Sequence, residues 1–330
     1  MTSFSRDIDA AQMPLFLCCS MRQEGQRLDR VLADLLPHMG LRGRRRCIAT
    51  GAVLLNGMRG TAAVRVREGD RVELLPTTHP QTEDAADPDA YFLGRRGGYC
   101  FFYKPVRMHS QRLAGGNGVS LECLLPHMLA TAPELRGQKT RPVLLQRLDY
   151  GTSGLVTAAC DAQAQAAFRA AEKQGRCEKR YVAILEGQLS QPAVVRNALD
   201  TARRVRSAVL PQQAQANRWT EFWPLVLWKA VSLPPILSEY GSADGATLAA
   251  CRIRCGARHQ IRVHAGHLGH PLLGDALYGS ALERGSSADF FLHHGGISLP
   301  QAWCFVPPPW GFLPAQVIKV ANQWLEQGHL

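Results

Sequence analysis

The sequence predicts an α+β protein in two parts: a small basic α/β domain, then a larger domain built on an extended mixed, mostly antiparallel sheet. Three observations carry this. From about Tyr91 onward, short apolar runs closed by turn residues outnumber amphipathic stretches and show no regular βαβ alternation. The stretch PTTHPQTEDAADPDA, rich in Pro, Thr and Asp and free of Lys and Arg, interrupts the chain and reads as a linker. With 330 residues, 46% of them hydrophobic, the chain is long enough for two cores. The expected divisions are an N-terminal extension over 1–25, a first domain over 26–76, a linker over 77–90 and a second domain over 91–330.

In the first domain, Leu28, Val31, Leu32, Leu35 and Leu36 recur at helical spacing, so RLDRVLADLLPHM is predicted to be one amphipathic helix ending near Gly40. A second helix begins at Leu41. AVLLNG reads as a short strand entering an Asn56-Gly57 turn, and REGDRVELL as a turn and a strand with Val72 and Leu74 on one face. Eight arginines lie between Leu41 and Arg71, against Glu68 and Asp70. Arg42, Arg44, Arg45 and Arg46 open the second helix, and a guanidinium offers a planar fork of donors that matches phosphate oxygens. The order GQRLDRVLADLLP, basic helix, GAVLLNG, VREGDRVEL resembles the alpha-L-type RNA-binding module of a ribosomal small-subunit protein and several RNA-modifying enzymes.

In the second domain, GYCFFYKP is a strand stopped by Pro105, and SGLVTAAC, KRYVAILEG and ATLAACRIRC are further strands. DAQAQAAFRAAEKQG is a helix with Asp161 as its N-cap and Gly175 just past its end.

The charge balance narrows the partners. Lys and Arg number 38 against 27 Asp and Glu, a net charge of +11, which favours a polyanion over an acidic protein surface. No run approaches the roughly 18 apolar residues that cross a bilayer, so no membrane role is expected. The first residues place acids ahead of a short apolar patch, the wrong order for a secretory signal. Ten cysteines without framework spacing read as reduced thiols, and the expected location is the cytoplasm.

Two stretches carry candidate chemistry. QRLDYGTSGLV puts Arg147 and Asp149 in a loop at a sheet edge, with Gly151 and Gly154 allowing tight turning and close approach of a ligand. GARHQIRVHAGHLGHPLLGDALYG is dense in ring and guanidinium donors and punctuated by loop-forming Gly and Pro, a composition suited to an anionic ligand. Two rival readings fail. GTSGL lacks the second Gly of a nucleophile elbow, since Leu155 stands there. Cys251 and Cys255, beside His259 and His264, look like zinc ligands, but on a strand they stand about 13 Å apart, too far to share an ion, so no metal is expected.

FFYKP, QRLDYGTSGLV, KRYVAILEG and HQIRVHAGHLGHPLLGDALYG occur in that order, with FLHHGGISL as a weaker fifth, and together they resemble the RluA-like family of pseudouridine synthases. The resemblance implies the pseudouridine synthase fold, with a large mixed sheet and a cleft across its middle. It also implies isomerisation of a uridine in RNA to pseudouridine. Asp149 takes the place of the family's essential aspartate, a carboxylate able to attack or stabilise the anomeric carbon or to remove the neighbouring proton. Arg147 and Arg262 match its active-site arginines, the second expected to pair with Asp149; a cationic partner favours an ionised carboxylate. Tyr181 holds the aromatic position, its ring suited to stacking on a flipped uracil and its hydroxyl to proton removal from carbon 5. Ile261 matches the apolar neighbour of the base. His259 and Gln260 are expected to face RNA, and Lys104 with Pro105 to be structural or RNA-proximal. Gln146 stands where the family usually has His, and Ala257 and Arg258 where it usually has a basic residue and then Thr; the segment from Gln188 to Thr247 matches the family only loosely, and its WPLVLWKAVSLPPIL is expected to be a substrate-specific insertion.

The isomerisation is redox-neutral and retains its leaving base, so no cofactor is expected. Family members with this N-terminal module often act on large-subunit ribosomal RNA, which makes that the first expected partner and transfer RNA the second, with the protein a monomer. The contrasting reading is a noncatalytic RNA-binding or ribosome-assembly protein that kept the fold.

Overall fold

The computed structural model describes residues 15–36, 41–49, 53–74, 90–112, 119–132, 141–202, 206–214, 218–240, 242–279 and 290–328. They form two compact units, one drawn mainly from residues up to Pro88 and the other from Asp89 onward. The expected linker lies outside the described residues except for Ala90, which is buried in the core of the second unit.

In the first unit, β1 (Leu15–Cys18), β2 (Val53–Leu55), β3 (Met58–Arg59) and β4 (Arg71–Leu74) make an antiparallel sheet in the order β1-β4-β2-β3. The sheet packs with α1 (Leu28–Val31) and α2 (Leu41–Ala49) around Leu28, Val31, Leu32, Ile48, Val53, Val66 and Val72. Two expectations need correction. The span 1–25 is not all extension, because β1 pairs with β4 from Leu15↔Leu74 to Cys18↔Arg71, and Cys19 is buried in the core. Among the described residues the long first helix is a single turn, Leu28–Val31, and its expected end near Gly40 lies outside them. Just beyond it two bonds tighten to i+3, from Ala33 N to Arg30 O and from Asp34 N to Val31 O, before Leu36 N bonds Leu32 O. Leu36 precedes Pro37, and a residue before proline is pushed out of the α region. The expected Asn56-Gly57 turn is present, both residues having positive φ (50° and 78°), as a two-residue type I′ hairpin requires.

The second unit contains β5 (Tyr91–Arg96), β6 (Tyr99–Lys104), α3 (Leu121–Thr131), β7 (Val143–Leu144), β8 (Ser153–Ala159) and α4 (Ala162–Lys173). These are followed by β9 (Glu178–Glu186), β10 (Ala193–Val195), β11 (Asn197–Asp200), β12 (Ala208–Ala214), β13 (Thr220–Trp228) and α5 (Pro235–Ser238). The chain ends with β14 (Ala246–Ile253), α6 (Gln260–His267), β15 (Leu292–Leu299), β16 (Ala302–Phe305) and α7 (Ala315–Gln327). The sheet runs β10-β13-β14-β9-β15-β8-β6-β5, with β16 on β15, β7 on β8 and a separate β11-β12 hairpin. Among the described strands only the short β15–β8 pairing is parallel, so the sheet is mixed and mostly antiparallel as expected.

The period-2 alternation of β9 sorts the core. Tyr181, Ala183 and Leu185 pack on one face with Phe222, Cys251 and Ile253 under α3 and α6, while Val182 and Ile184 pack on the other with Leu248, Ala250 and Trp324 under α7. The functional side chains lie on the first face. α4 starts and stops as expected: the Asp161 side chain accepts from Ala164 N, and Gly175 takes positive φ past its end. In the stretch WPLVLWKAVSLPPIL, Trp223–Trp228 belong to β13, which pairs with β14 from Glu221↔Arg252 to Trp228↔Ala246, and α5 begins at Pro235; Pro224 sits at the break in register that obscured the strand in sequence.

Candidate active site

The loop joining β7 to β8 is pinned on both sides of Asp149. Buried Ser110 receives the Leu148 N–H at 2.8 Å and donates to the Leu148 carbonyl at 3.0 Å. The Asp149 carbonyl accepts from Thr152 N at 3.1 Å, and the Tyr150 carbonyl from Arg107 N at 2.7 Å. Beyond the loop, Gly154 has φ of +116° and lies so close to β15 that a Cβ there would stand 2.1 Å from the His294 carbonyl oxygen. The small residues after Asp149 therefore let β8 close against β15.

Asp149 faces an open cleft with about 350 Å³ of empty space, lined also by Arg147, Thr152, Tyr181, Ile253, His259, Ile261, Arg262 and Leu292. It is the only carboxylate among the described lining residues, and its side chain is 23% exposed. Arg262 Nη1 lies 3.4 Å from Asp149 Oδ2. Arg262 is itself forked onto Asp275, with Nε to Oδ2 at 2.7 Å and Nη2 to Oδ1 at 2.8 Å, and its guanidinium lies 4.2 Å from the Phe290 ring centroid. Burial is the largest single influence and works against that charge, but the Asp275 hydrogen bonds together with the negative charges of Asp275 and Asp149 outweigh it, and the guanidinium's pKa is raised. The expected Asp149–Arg262 pair is present, yet Asp275 is the stronger partner.

Tyr181 lies opposite His294 in the β9–β15 register, and the two rings stack at 4.4 Å with 22° between their planes. Burial, and secondarily Asp149, push the Tyr181 phenol far above its usual pKa, so its hydroxyl is neutral at working pH and suited to donating. This disfavours the expected proton-removal role of that hydroxyl. The His294 ring also approaches the Leu155 carbonyl at 2.6 Å through Nδ1, and Gln146 donates to the same carbonyl at 3.3 Å.

The remaining expected residues separate. Ile261 is buried at the cleft wall, and Arg147 is exposed at its lining with no hydrogen bond or ion pair among the described residues. Gln260 does not face RNA with its amide: Oε1 accepts from Ala257 N, and Nε2 donates to the Arg218 and Trp219 carbonyls, because the first turn of α6 must be tied to the start of β13. Lys104 is fully buried, its Nζ on the Pro105 and Met108 carbonyls at 2.7 and 2.9 Å, so it cannot touch RNA. Burial lowers its pKa to about 7, with Asp149 pulling the other way.

In the first unit, Arg44 donates to the Arg30 carbonyl at 3.2 Å, and Arg45 is 2.6 Å from buried Asp29, so both are partly committed to the fold. The side chains of Arg42 and Arg46 lie outside the described residues. Among the described residues no cluster of His, Cys, Asp or Glu could hold a metal ion.

Sequence reasoning missed Asp275 and Tyr278. Both stand in the quoted GDALYG; a buried arginine needs a buried carboxylate, and that requirement points to the first of them.

Residues 98–267 match the RNA pseudouridylate synthase family. The chain is 28% identical to an uncharacterised RNA pseudouridine synthase of Chloroflexus aurantiacus, over 84% of this chain and 83% of that protein. It is also 28% identical to ribosomal large subunit pseudouridine synthase D of Nitrosomonas europaea, over 80% of this chain and 72% of that protein. In fold it is similar to human RNA pseudouridylate synthase domain containing 4, with a TM-score of 0.51, 17% identity, and coverage of 70% of this chain and 92% of that one. The match runs through the strands and loops that build this cleft, and the chain belongs to the RNA pseudouridylate synthase family.

Proposed function

We propose that the protein converts a uridine of large-subunit ribosomal RNA to pseudouridine, with Asp149 as the group that acts on the ribose. The observation that carries this reading is the position of Asp149: a single carboxylate at the cleft wall, fixed by its loop and reached by a guanidinium clamped from behind. An ionised carboxylate there can add to the anomeric carbon or take the neighbouring proton, and either route breaks the bond from that carbon to N1 of uracil. The base then turns and carbon 5 bonds to the same ribose carbon, either displacing the Asp149 carboxylate from it or adding there as Asp149 returns the proton to the neighbouring carbon; the carbon 5 proton then leaves to solvent and its bonding pair restores the uracil ring. Tyr181 and Ile261 form the apolar wall for the turning base, at a site that extrudes its target nucleotide. The relatives named for the large ribosomal subunit support the choice of RNA.

The first unit is proposed to hold RNA through the helix that carries Arg42 to Arg46. This is supported by the order of its elements and by the net charge of +11.

Tritium release from RNA labelled at carbon 5 of uridine, with ribosomal and transfer RNA offered separately, tests the reading. Release from ribosomal RNA by the wild-type protein, absent in Asp149→Asn with RNA affinity intact, is the expected result. Release from transfer RNA alone reassigns the substrate. Tight binding without release from either RNA makes the protein a noncatalytic RNA binder.

A further inference from the structure

The carboxylate of Asp149 has two oxygens, and the reading above uses a partner for only one. Oδ2 faces Arg262, held in turn by Asp275. Oδ1 faces His259, whose Nε2 stands 3.8 Å away. The other nitrogen of that ring, Nδ1, is 2.8 Å from the Tyr278 hydroxyl, and the Tyr278 oxygen accepts the Ser207 N–H at 2.9 Å. Asp275 and Tyr278 come from the same short segment, so one stretch of chain stands behind both groups that face the carboxylate.

We propose that Tyr278 and His259 form a positioning relay for Asp149, with Tyr278 fixing the imidazole so that its Nε2–H is aimed at Oδ1. The inference rests on the reading of Asp149 as the catalytic carboxylate and names residues that act through it.

The polarity of the chain follows from what each group can do. A carboxylate only accepts, so the nitrogen facing it carries the proton. Nδ1 is then bare and must accept, and the Tyr278 O–H is the donor beside it. The Ser207 N–H occupies an acceptor lone pair of the phenol and leaves the hydroxyl proton for the imidazole. Every link runs one way: Ser207 N–H to Tyr278, Tyr278 O–H to Nδ1, and Nε2–H toward Asp149. Burial lowers the pKa of His259, although Asp149 opposes this, which favours the neutral ring the relay needs.

Two further features mark His259 as a residue held in place. It occupies the left-handed region at φ 59° and ψ 18° without being glycine, at the N-cap of α6. A side chain at that position usually caps the helix, but that of His259 makes no capping bond and turns to Tyr278, whose ring meets it edge-on at 81° and 5.7 Å. The 3.8 Å gap to Oδ1 is the kind of loose contact that closes when substrate fills an open site.

The relay acts on orientation, so its loss should lower turnover and spare binding. Tyr278→Phe keeps the ring and removes only the hydroxyl. The expected result is a kcat roughly tenfold lower with KM changed by less than about twofold, as for a reacting group displaced by a fraction of an ångström. Adding Tyr278→Phe to His259→Ala should cost nothing further, because the two act in series. Nitrogen-15 NMR of the wild-type imidazole should show Nε2 protonated and Nδ1 bare, and in Tyr278→Phe a mixture of tautomers. A bare Nε2 in the wild type, full kcat in Tyr278→Phe, or additive losses in the double variant would each overturn the relay. Absence of tritium release by the wild type overturns the enzymatic reading instead, and the NMR arm reads the tautomer without needing turnover.

Discussion

The tetrapeptide QRLD occurs twice, at 26–29 and at 146–149, and the two units use it in opposite ways. In the first unit Arg27 forks its own neighbour, Nε to Asp29 Oδ1 at 3.1 Å and Nη2 to Oδ2 at 3.0 Å, and Arg45 adds a bond at 2.6 Å. The carboxylate is fully buried, and the Arg27 hydrogen bonds, helped by Arg45, hold its pKa at about 2. In the second unit Arg147 turns to the cleft and Asp149 takes a partner from 113 residues away, at 3.4 Å, with part of its surface open. Saturated with donors, the first carboxylate is scaffold; held but not saturated, the second can react. A charged pair in sequence therefore says little until the surroundings show whether a lone pair is left over.

The comparison breaks most sharply at the two aspartates. Asp149→Asn should lower kcat by roughly 10⁴-fold while leaving the melting temperature almost unmoved, because the side chain is not needed for the loop's backbone bonds. Tritium release and a thermal melt on the same preparation check both halves.

Asp275→Ala should follow in size. It leaves the Arg262 guanidinium, 4% exposed, without its forked partner, and breaking a buried pair costs about 3–5 kcal/mol. Denaturant unfolding should show that loss together with reduced turnover. A variant as stable as the wild type would mean that Asp149 alone can balance Arg262.

Asp29→Asn should be milder and confined to stability, at about 2 kcal/mol, because Arg27 and Arg45 are partly solvated and water screens what they lose. The direction with pH is fixed by the depressed pKa. Asp29 contributes fully above its ordinary value of 3.8, and the contribution fades as pH falls through about 2. The wild type's advantage over Asp29→Asn, read by hydrogen exchange at the Leu28 and Val31 amides, should be full above pH 4 and shrink below it. An advantage constant down to pH 2 would contradict the pairing.

Much of this was legible because local signals agreed. The strands β6, β8, β9 and β14 are apolar runs bounded by Gly or Pro, and α4 carries its own cap and stop. α6 was hidden because Gln260 through Ala265 are all buried, which leaves no polar face to mark a helical period. Strand β1 is too short to stand out without its partner β4. At the site, Asp149, Tyr181, Ile261 and Arg262 could be placed by motif. Asp275 and Tyr278 could not, because their roles are set by partners 13 and 19 residues away across a turn. Of the two readings open for Lys104, structural or RNA-proximal, burial favours the structural one, and the Gln260 amide expected to face RNA is spent on backbone groups instead.

Arg147 offers the smallest and most discriminating test. If surroundings decide what an arginine before Leu-Asp does, Arg147→Ala should leave stability within about 0.5 kcal/mol of wild type, since it makes no hydrogen bond or ion pair among the described residues. Its effect should fall on RNA. An exposed guanidinium at the cleft lining is free to meet a phosphate, so affinity should weaken and the slope of log affinity against log salt should become shallower by about one counterion. Arg27→Ala should do the reverse, lowering stability and leaving that slope alone. If both variants instead shift the salt slope alike, the first arginine is also available to RNA, and its pairing with Asp29 yields when RNA arrives.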